Sequence, residues 1–295
     1  MESVDDRRGL IRIPMKRLAI KVARSTIRKS AGLCSMLLPL EIRKGLVLRI
    51  ERLKFRWVPD FSIGILEDLR RHDPEALHRF LWSNHLAYAA TYEPKKKFEA
   101  SSLNPTRQLL FRQIVDYYRS SGLNPQEQIR SVFEVGCSLG YLLRYLELYV
   151  LPAAAPLHGI DIDRYAVRTG MSYLQSVNSK VQLFDADVAK IGEATGNQQY
   201  DLVLSCGVLM YLNKKTAKAT LQKMFALSRR LVGIICTAHQ GDGGATLNSE
   251  TRKSDGAYLH DMHSMIRESG HYIISSTFVD FAESGSSPSY VILAR

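Results

Sequence analysis

The chain has 295 residues, 45% hydrophobic and 23% charged, with a net charge of +11. This is enough length for one large domain plus an appendage, and the balance is that of a globular protein rather than a disordered one. The four cysteines, Cys34, Cys137, Cys206 and Cys236, form no C-x-x-C pair, which argues against a disulfide framework or a zinc site and favours a reducing compartment.

The charge is unevenly placed. Residues 1–60 hold fifteen Lys/Arg against six Asp/Glu, so the rest of the chain is nearly neutral. Arg17, Lys21, Arg24 and Arg28 recur at helical spacing, with Leu18, Val22, Ala23 and Ile27 filling the opposite arc. A basic amphipathic arm of this kind suits peripheral contact with an anionic membrane, or packs on its own body as a solvated helix. No apolar run reaches the roughly 20 residues needed to span a bilayer. Glu2, Asp5 and Asp6 oppose a transit peptide. The expected location is cytoplasmic, membrane-peripheral if the arm binds lipid.

Residues 61–128 read as a helical cap. Asp73-Pro74-Glu75 has the form of a helix start, followed by Leu77, Phe80, Leu81, His85 and Tyr88 at helical spacing. A second helix begins after Asn104-Pro105, runs through Leu109, Leu110, Ile114, Val115 and Tyr118, and ends near Ser120-Ser121-Gly122.

From residue 129 onward strands and helices alternate. Strands are expected at 131–135, 157–161, 180–184, 200–205, 230–237, 272–279 and 289–294, and helices at 139–150, 164–177, 188–194, 214–228 and 256–269. Alternation of this kind predicts an α/β fold: a doubly wound, mostly parallel seven-stranded sheet with helices on both faces, closed by a hairpin. The expected organisation is thus a basic arm (1–60), a helical cap (61–128) and a ligand-binding domain (129–295).

The first strand ends in Glu134-Val135-Gly136-Cys137-Ser138-Leu139-Gly140 and runs into a helix. A strand, a tight turn of small residues and a helix start bring backbone N–H groups against a small polar ligand at the carboxyl edge of the sheet. The spacing E-x-G-x-S-x-G resembles motif I of the class I S-adenosylmethionine-dependent methyltransferases, with Ser138 where the family usually has glycine. Three further stations follow in register. Asp161 ends the second strand, the third leads to Asp185-Ala186-Asp187-Val188, and the fourth runs into Ser205-Cys206-Gly207-Val208.

The resemblance implies S-adenosylmethionine as cofactor and methyl transfer as the reaction. It implies that Glu134, Gly136, Cys137, Ser138 and Gly140 cradle the methionine portion. Asp161, with Ile162 beside it, would meet the ribose hydroxyls. Asp187, with Asp185 as a rival, would meet the adenine amino group beside Val188. Cys206 and Gly207 would wall the pocket. The residues themselves read Asp163 as a helix cap. A nicotinamide dehydrogenase would want G-x-G-x-x-G, and Tyr141 stands where its third glycine belongs.

Methyl transfer needs positioning above all, and an oxygen acceptor benefits from a general base. His239, just after the fifth strand, is the candidate base; the alternative is a loop histidine without a role. His260 is a weaker acceptor-site candidate, His263 edges the packed face of its helix, and Tyr92 and Arg107 read as a core tyrosine and a surface arginine, with a lid role as the alternative. Cys206 has no activating neighbour in its motif and reads as a wall. The stretch after the fourth strand lacks the N-P-P-Y-type tetrapeptide of the family's amide and adenine N-methylating members. A small-molecule, sugar or lipid hydroxyl is therefore the expected acceptor. RNA held by the basic arm is the runner-up, and a non-catalytic scaffold of the same fold is the third reading.

Overall fold

In the computed structural model, residues 26, 30–31, 38–51, 62, 64–196, 198–238, 249–252, 255–280 and 287–295 are described. The chain divides into two compact units, Met1–His72 and Asp73–Arg295. In the first, helix α1 (Leu40–Glu51) carries Arg43, whose guanidinium pairs at 2.7 Å with Asp68 on α2 (Glu67–His72). The basic stripe Arg17–Arg28, and with it the expected membrane contact, lies outside the described residues. Among the described residues no helix is long and apolar enough to cross a membrane.

The second unit is built on a seven-stranded sheet. Its strands are β1 (Val132–Val135), β2 (Leu157–Asp161), β3 (Val181–Asp185), β4 (Tyr200–Cys206), β5 (Ser228–Thr237), β8 (Ile273–Val279) and β9 (Ser289–Ala294); a two-residue ribbon, β6 (Glu250–Thr251) with β7 (Tyr258–Leu259), stands apart. The spatial order is β3-β2-β1-β4-β5-β9-β8. The first five strands are parallel, and β9 runs antiparallel to both β5 and β8. The expected sheet is therefore present, its strand limits within about two residues of the sequence reading, as is ordinary for element ends.

Two apolar layers explain why these strands are hydrophobic almost throughout. Val132, Leu157, Val181, Leu202 and Leu231 face one layer, with side chains from α4 (Pro105–Ser120), α5 (Tyr141–Tyr145) and α6 (Arg164–Ser176). Phe133, Val135, Ile160, Val203 and Val232 face the other, with α7 (Ile191–Thr195), α8 (Lys214–Leu227) and α9 (Met262–Glu268). Val132 and Phe133 go to opposite layers because successive strand side chains alternate.

Two helices start where their caps predict. Asp73 accepts from the Ala76 amide at 3.0 Å to open α3 (Pro74–Ser83), and Asn104 accepts from the Arg107 amide at 3.2 Å to open α4. The expected helix 256–269 begins later, at Met262. Gly256 has φ +79, Tyr258–Leu259 pairs with β6, and Asp261 caps through the Ser264 amide at 3.0 Å. Side-chain capping at Asp261 sets the start that apolar spacing alone misplaces.

Candidate active site

The floor of the site forms where β1, β2 and β4 end. After Glu134 and Val135 the chain turns at Gly136, φ +77. A Cβ there would lie 2.0 Å from Val208 Cγ2, so the loop after β4 approaches too closely for any side chain. The Gly136 and Cys137 amides both donate to the Ile160 carbonyl, at 2.8 and 2.9 Å. Ser138 takes the left-handed conformation, φ +50, and its amide donates to Asp161 Oδ2 at 2.7 Å. The other carboxylate oxygen accepts from the Asp163 amide at 2.8 Å. Asp161 thus ties the turn after β1 to the turn after β2.

Two acids on this floor are displaced from their ordinary range. Glu134 is 1% exposed, and its Oε2 has no hydrogen-bond partner among the described residues. Burial pushes its pKa up to about 8, with Arg107 pulling down and the Asp161 charge pushing further up. Asp161 is raised to about 6, again by burial first, while the Asp163 and Ser138 amides pull the other way. Ser138 Oγ is likewise buried without a partner. Buried polar atoms without partners, beside acids with raised pKa, are what a ligand site built for polar groups leaves behind. Cys206 is the opposite case: burial pushes its pKa to about 12, so it is a neutral thiol and a wall rather than a nucleophile.

The roof is α3. Glu75 near its start accepts from the Asn213 amide at 3.0 Å and the Thr216 hydroxyl at 3.1 Å, which anchors it to the segment after β4. Arg79, one turn on, pairs with Asp187 after β3. Beyond the helix end His85, φ +56, places Nδ1 2.7 Å from Asp163 Oδ2, after β2. The helix therefore crosses the carboxyl edge of the sheet, tethered above three successive strand ends. His78 and Trp82 rest on Tyr211, with ring centroids 4.6 and 5.4 Å away. At the side, Lys97 Nζ sits 4.5 Å from the ring centroids of both Tyr92 and Tyr141.

Floor and roof line one cleft. Every expected cofactor residue except Gly140 lines it: Glu134, Gly136, Cys137, Ser138, Asp161 and Ile162, then Asp187, Val188, Cys206 and Gly207. Gly140, φ +79, instead opens α5, where a Cβ would press on Leu183 at 2.8 Å. Asp185 is exposed and absent from the lining, whereas Asp187 is on it. Asp163 is buried and caps α6, accepting from the Tyr165 and Ala166 amides at 3.1 and 3.0 Å. Tyr92 and Arg107 both line the cleft.

The histidines divide. His239 and the loop 240–244 lie outside the described residues. His260 is 3% exposed and fully occupied, its Nε2 within 3.0 Å of the Leu209 and Leu212 carbonyls and its Nδ1 2.9 Å from Ser249 Oγ. It pins the loop after β4. His263 Nε2 is 2.8 Å from Ser276 Oγ, between α9 and β8. Sequence reasoning missed Glu75, His78, Arg79 and Trp82, all of which line the cleft. Their helix was visible, but nothing in its spacing tells which strand ends it covers.

Residues 133–230 match the family model described as a methyltransferase domain. None of the curated proteins compared matches the sequence. Among solved structures, magnesium protoporphyrin IX methyltransferase of Synechocystis PCC 6803, with bound S-adenosylhomocysteine, is similar over 75% of this chain and 99% of its own, at 17% identity and a TM-score of 0.52. The 1,6-didemethyltoxoflavin N1-methyltransferase of Burkholderia thailandensis is similar over 75% of this chain and 89% of its own, at 15% identity and a TM-score of 0.53. At such identities the likeness is one of fold. The sheet order and the turn after β1 agree with the methyltransferase-domain match over residues 133–230.

Proposed function

We propose that this methyltransferase acts on an oxygen of a small-molecule, sugar or lipid acceptor. The observation that carries the reading is the roofed cleft, whose floor has polar atoms in want of partners and whose roof presents rings.

The floor fits the cofactor. Gly136 lets Val208 pack directly on the turn, and Glu134 Oε2 and Ser138 Oγ are buried acceptors without partners. In this reading Glu134 meets the amino group of the methionine portion. Asp161 spends one lone pair per oxygen on backbone amides, which leaves others for ribose hydroxyls. Ile162 and Val188 flank the base, Asp187 accepts from its amino group, and Cys206 and Gly207 complete the wall. When bound, S-adenosylmethionine supplies a sulfonium-activated methyl group open to in-line displacement. The protein's contribution is then to hold, orient and exclude water, which suits a half-closed cleft.

The acceptor belongs beneath the rings of Trp82, Tyr211 and Tyr92, where a small, partly apolar molecule gains most from burial. The Ser205–Val208 stretch without an amide-methylating tetrapeptide supports oxygen as the atom. The test is incubation of the full chain with methyl-labelled S-adenosylmethionine and a fractionated extract. Label in a small-molecule, glycan or lipid fraction, stable to mild acid as an ether is, supports the reading. Label confined to RNA or protein overturns it.

A further inference from the structure

His85 stands in a place that glycine normally takes. Just past the end of α3, its amide donates to the Trp82 carbonyl at 3.1 Å, and the Leu86 amide reaches back to the Leu81 carbonyl at 2.8 Å. Bonds of this kind end a helix on a residue in the left-handed conformation, and residue 85 has φ +56. A side chain is disfavoured there and glycine is not. Histidine therefore weakens the cap it occupies, and what the ring reaches offsets the strain.

The ring reaches the turn after β2. Nδ1 donates to Asp163 Oδ2 at 2.7 Å, and the ring packs on Tyr165 with centroids 4.2 Å apart. Asp163 is 1% exposed. Its Oδ1 accepts from the Tyr165 and Ala166 amides at the start of α6, so the bond from His85 satisfies the other oxygen. The Asp163 amide in turn donates to Asp161 Oδ1 at 2.8 Å, and Asp161 Oδ2 accepts from the Ser138 amide at 2.7 Å. A line of hydrogen bonds thus runs from the end of the roof helix, through Asp163, to the acid at the end of β2 and the turn after β1. Asp161 and Ser138 line the cleft, and His85 and Asp163 stand behind them.

We propose that His85 is a positioning residue for the cofactor: by holding Asp163 it fixes Asp161 against the ribose, and it makes closure of α3 and filling of the cleft reinforce one another. The proposal rests on the cofactor site described above. When the roof lifts, a buried carboxylate oxygen loses its donor, and the turn that carries the Asp163 amide is freed to move. Asp161 then presents its oxygens to the ribose in poorer alignment. By reciprocity, a ligand that needs Asp161 in place draws the roof down.

Two variants of the full chain isolate the bond. His85→Gly relieves the left-handed conformation and removes the donor, whereas His85→Asn tolerates that conformation and keeps an N–H near the position of Nδ1. Both lose the Tyr165 contact, so their difference reports the bond to Asp163. Calorimetry uses S-adenosylhomocysteine and methylthioadenosine, which keeps ribose and base without the amino-acid end. His85→Gly should weaken both ligands by the same factor, roughly tenfold, while unfolding within about 3 °C of wild type. His85→Asn should bring both back to within about threefold of wild type. Unchanged affinity in His85→Gly, weakening of S-adenosylhomocysteine alone, or equal weakening in the two variants overturns the proposal. Should His85→Gly fail to fold, wild type decides. Nitrogen NMR should show the His85 Nδ1 proton exchanging with water more slowly once S-adenosylhomocysteine is bound, and an unchanged rate overturns the proposal. Wild type that binds neither ligand counts against the cofactor site itself, and the proposal falls with it.

Discussion

Glu134 and Asp187 are carboxylates on the same cleft, yet the protein treats them in opposite ways. Glu134 is sealed at the end of β1 with an oxygen unpartnered, and burial keeps its proton on to about pH 8. Asp187 is partly exposed and committed twice, to the Ala189 amide at 2.8 Å and to Arg79 on the roof helix. The first end keeps electrostatic stress in reserve until a cation arrives. The second has already neutralised its charge from within, and latches the roof in doing so. A ligand therefore gains most where the protein has left a polar group unsatisfied, and least where it must displace an internal partner.

The comparison breaks most readily at the turn beneath Glu134. Gly136→Ala must place a Cβ against Val208 in a left-handed conformation that costs about 1–2 kcal/mol by itself. Affinity for S-adenosylhomocysteine, measured by calorimetry, should fall by roughly 100-fold or more, about 2.7 kcal/mol. Gly207→Ala is the control, with φ +80 but nothing within 4 Å of the added atom, and should lose much less.

Glu134→Gln comes next. Losing one charge-assisted contact should weaken binding by about 1.5–3 kcal/mol at pH 8 and above. The unliganded protein should respond the other way. Between the ordinary 4.5 and about 8, folded Glu134 binds a proton that the unfolded chain does not, so stability falls as pH rises through that window. Thermal unfolding of the variant should lack that fall and show higher stability than wild type at pH 8.5.

Asp161→Asn replaces an acceptor of two amides by a group with one acceptor oxygen, so either Ser138 or Asp163 loses its partner. We expect about 1–3 kcal/mol of lost stability and roughly tenfold weaker cofactor binding. The smallest effect is expected at the latched end. Arg79→Met breaks a pair whose arginine is 44% exposed, worth below about 1 kcal/mol of stability. Freeing Asp187 should leave cofactor affinity unchanged or a few-fold higher; a large loss would show that Arg79 itself holds the ligand.

These two ends also differ in how they can be read from sequence. The Glu134 end is local. A strand, a turn with glycine in a left-handed conformation and a helix start occupy a dozen consecutive residues, so the resemblance to a known motif at Gly136, Ser138 and the acid before them is visible in sequence. Asp161 and Asp187 follow because parallel strands bring successive carboxyl ends to one edge. Gly140 shows the limit of reading by position: its glycine serves a helix start packed on Leu183, not the cleft. The roof was out of reach for another reason. Glu75, His78 and Arg79 are spaced as any amphipathic helix would space them, and their partners at Asn213, Tyr211 and Asp187 lie more than 100 residues away. Long-range tethers of this kind leave no periodic trace. The β6–β7 ribbon escaped likewise, since two-residue strands are too short to show alternation.

The central claim is that the cleft beneath α3 holds S-adenosylmethionine through the acids at the ends of β1 and β2. It is tested most directly by calorimetric titration of S-adenosylhomocysteine from pH 5.5 to 8.5, on wild type and Glu134→Gln. The ligand's ammonium favours the ionised form of Glu134, so wild-type affinity should climb through about pH 6, where Asp161 titrates, and on to about pH 8. In Glu134→Gln only the lower rise should remain. Affinity that is flat with pH and equal in the two proteins would contradict the account.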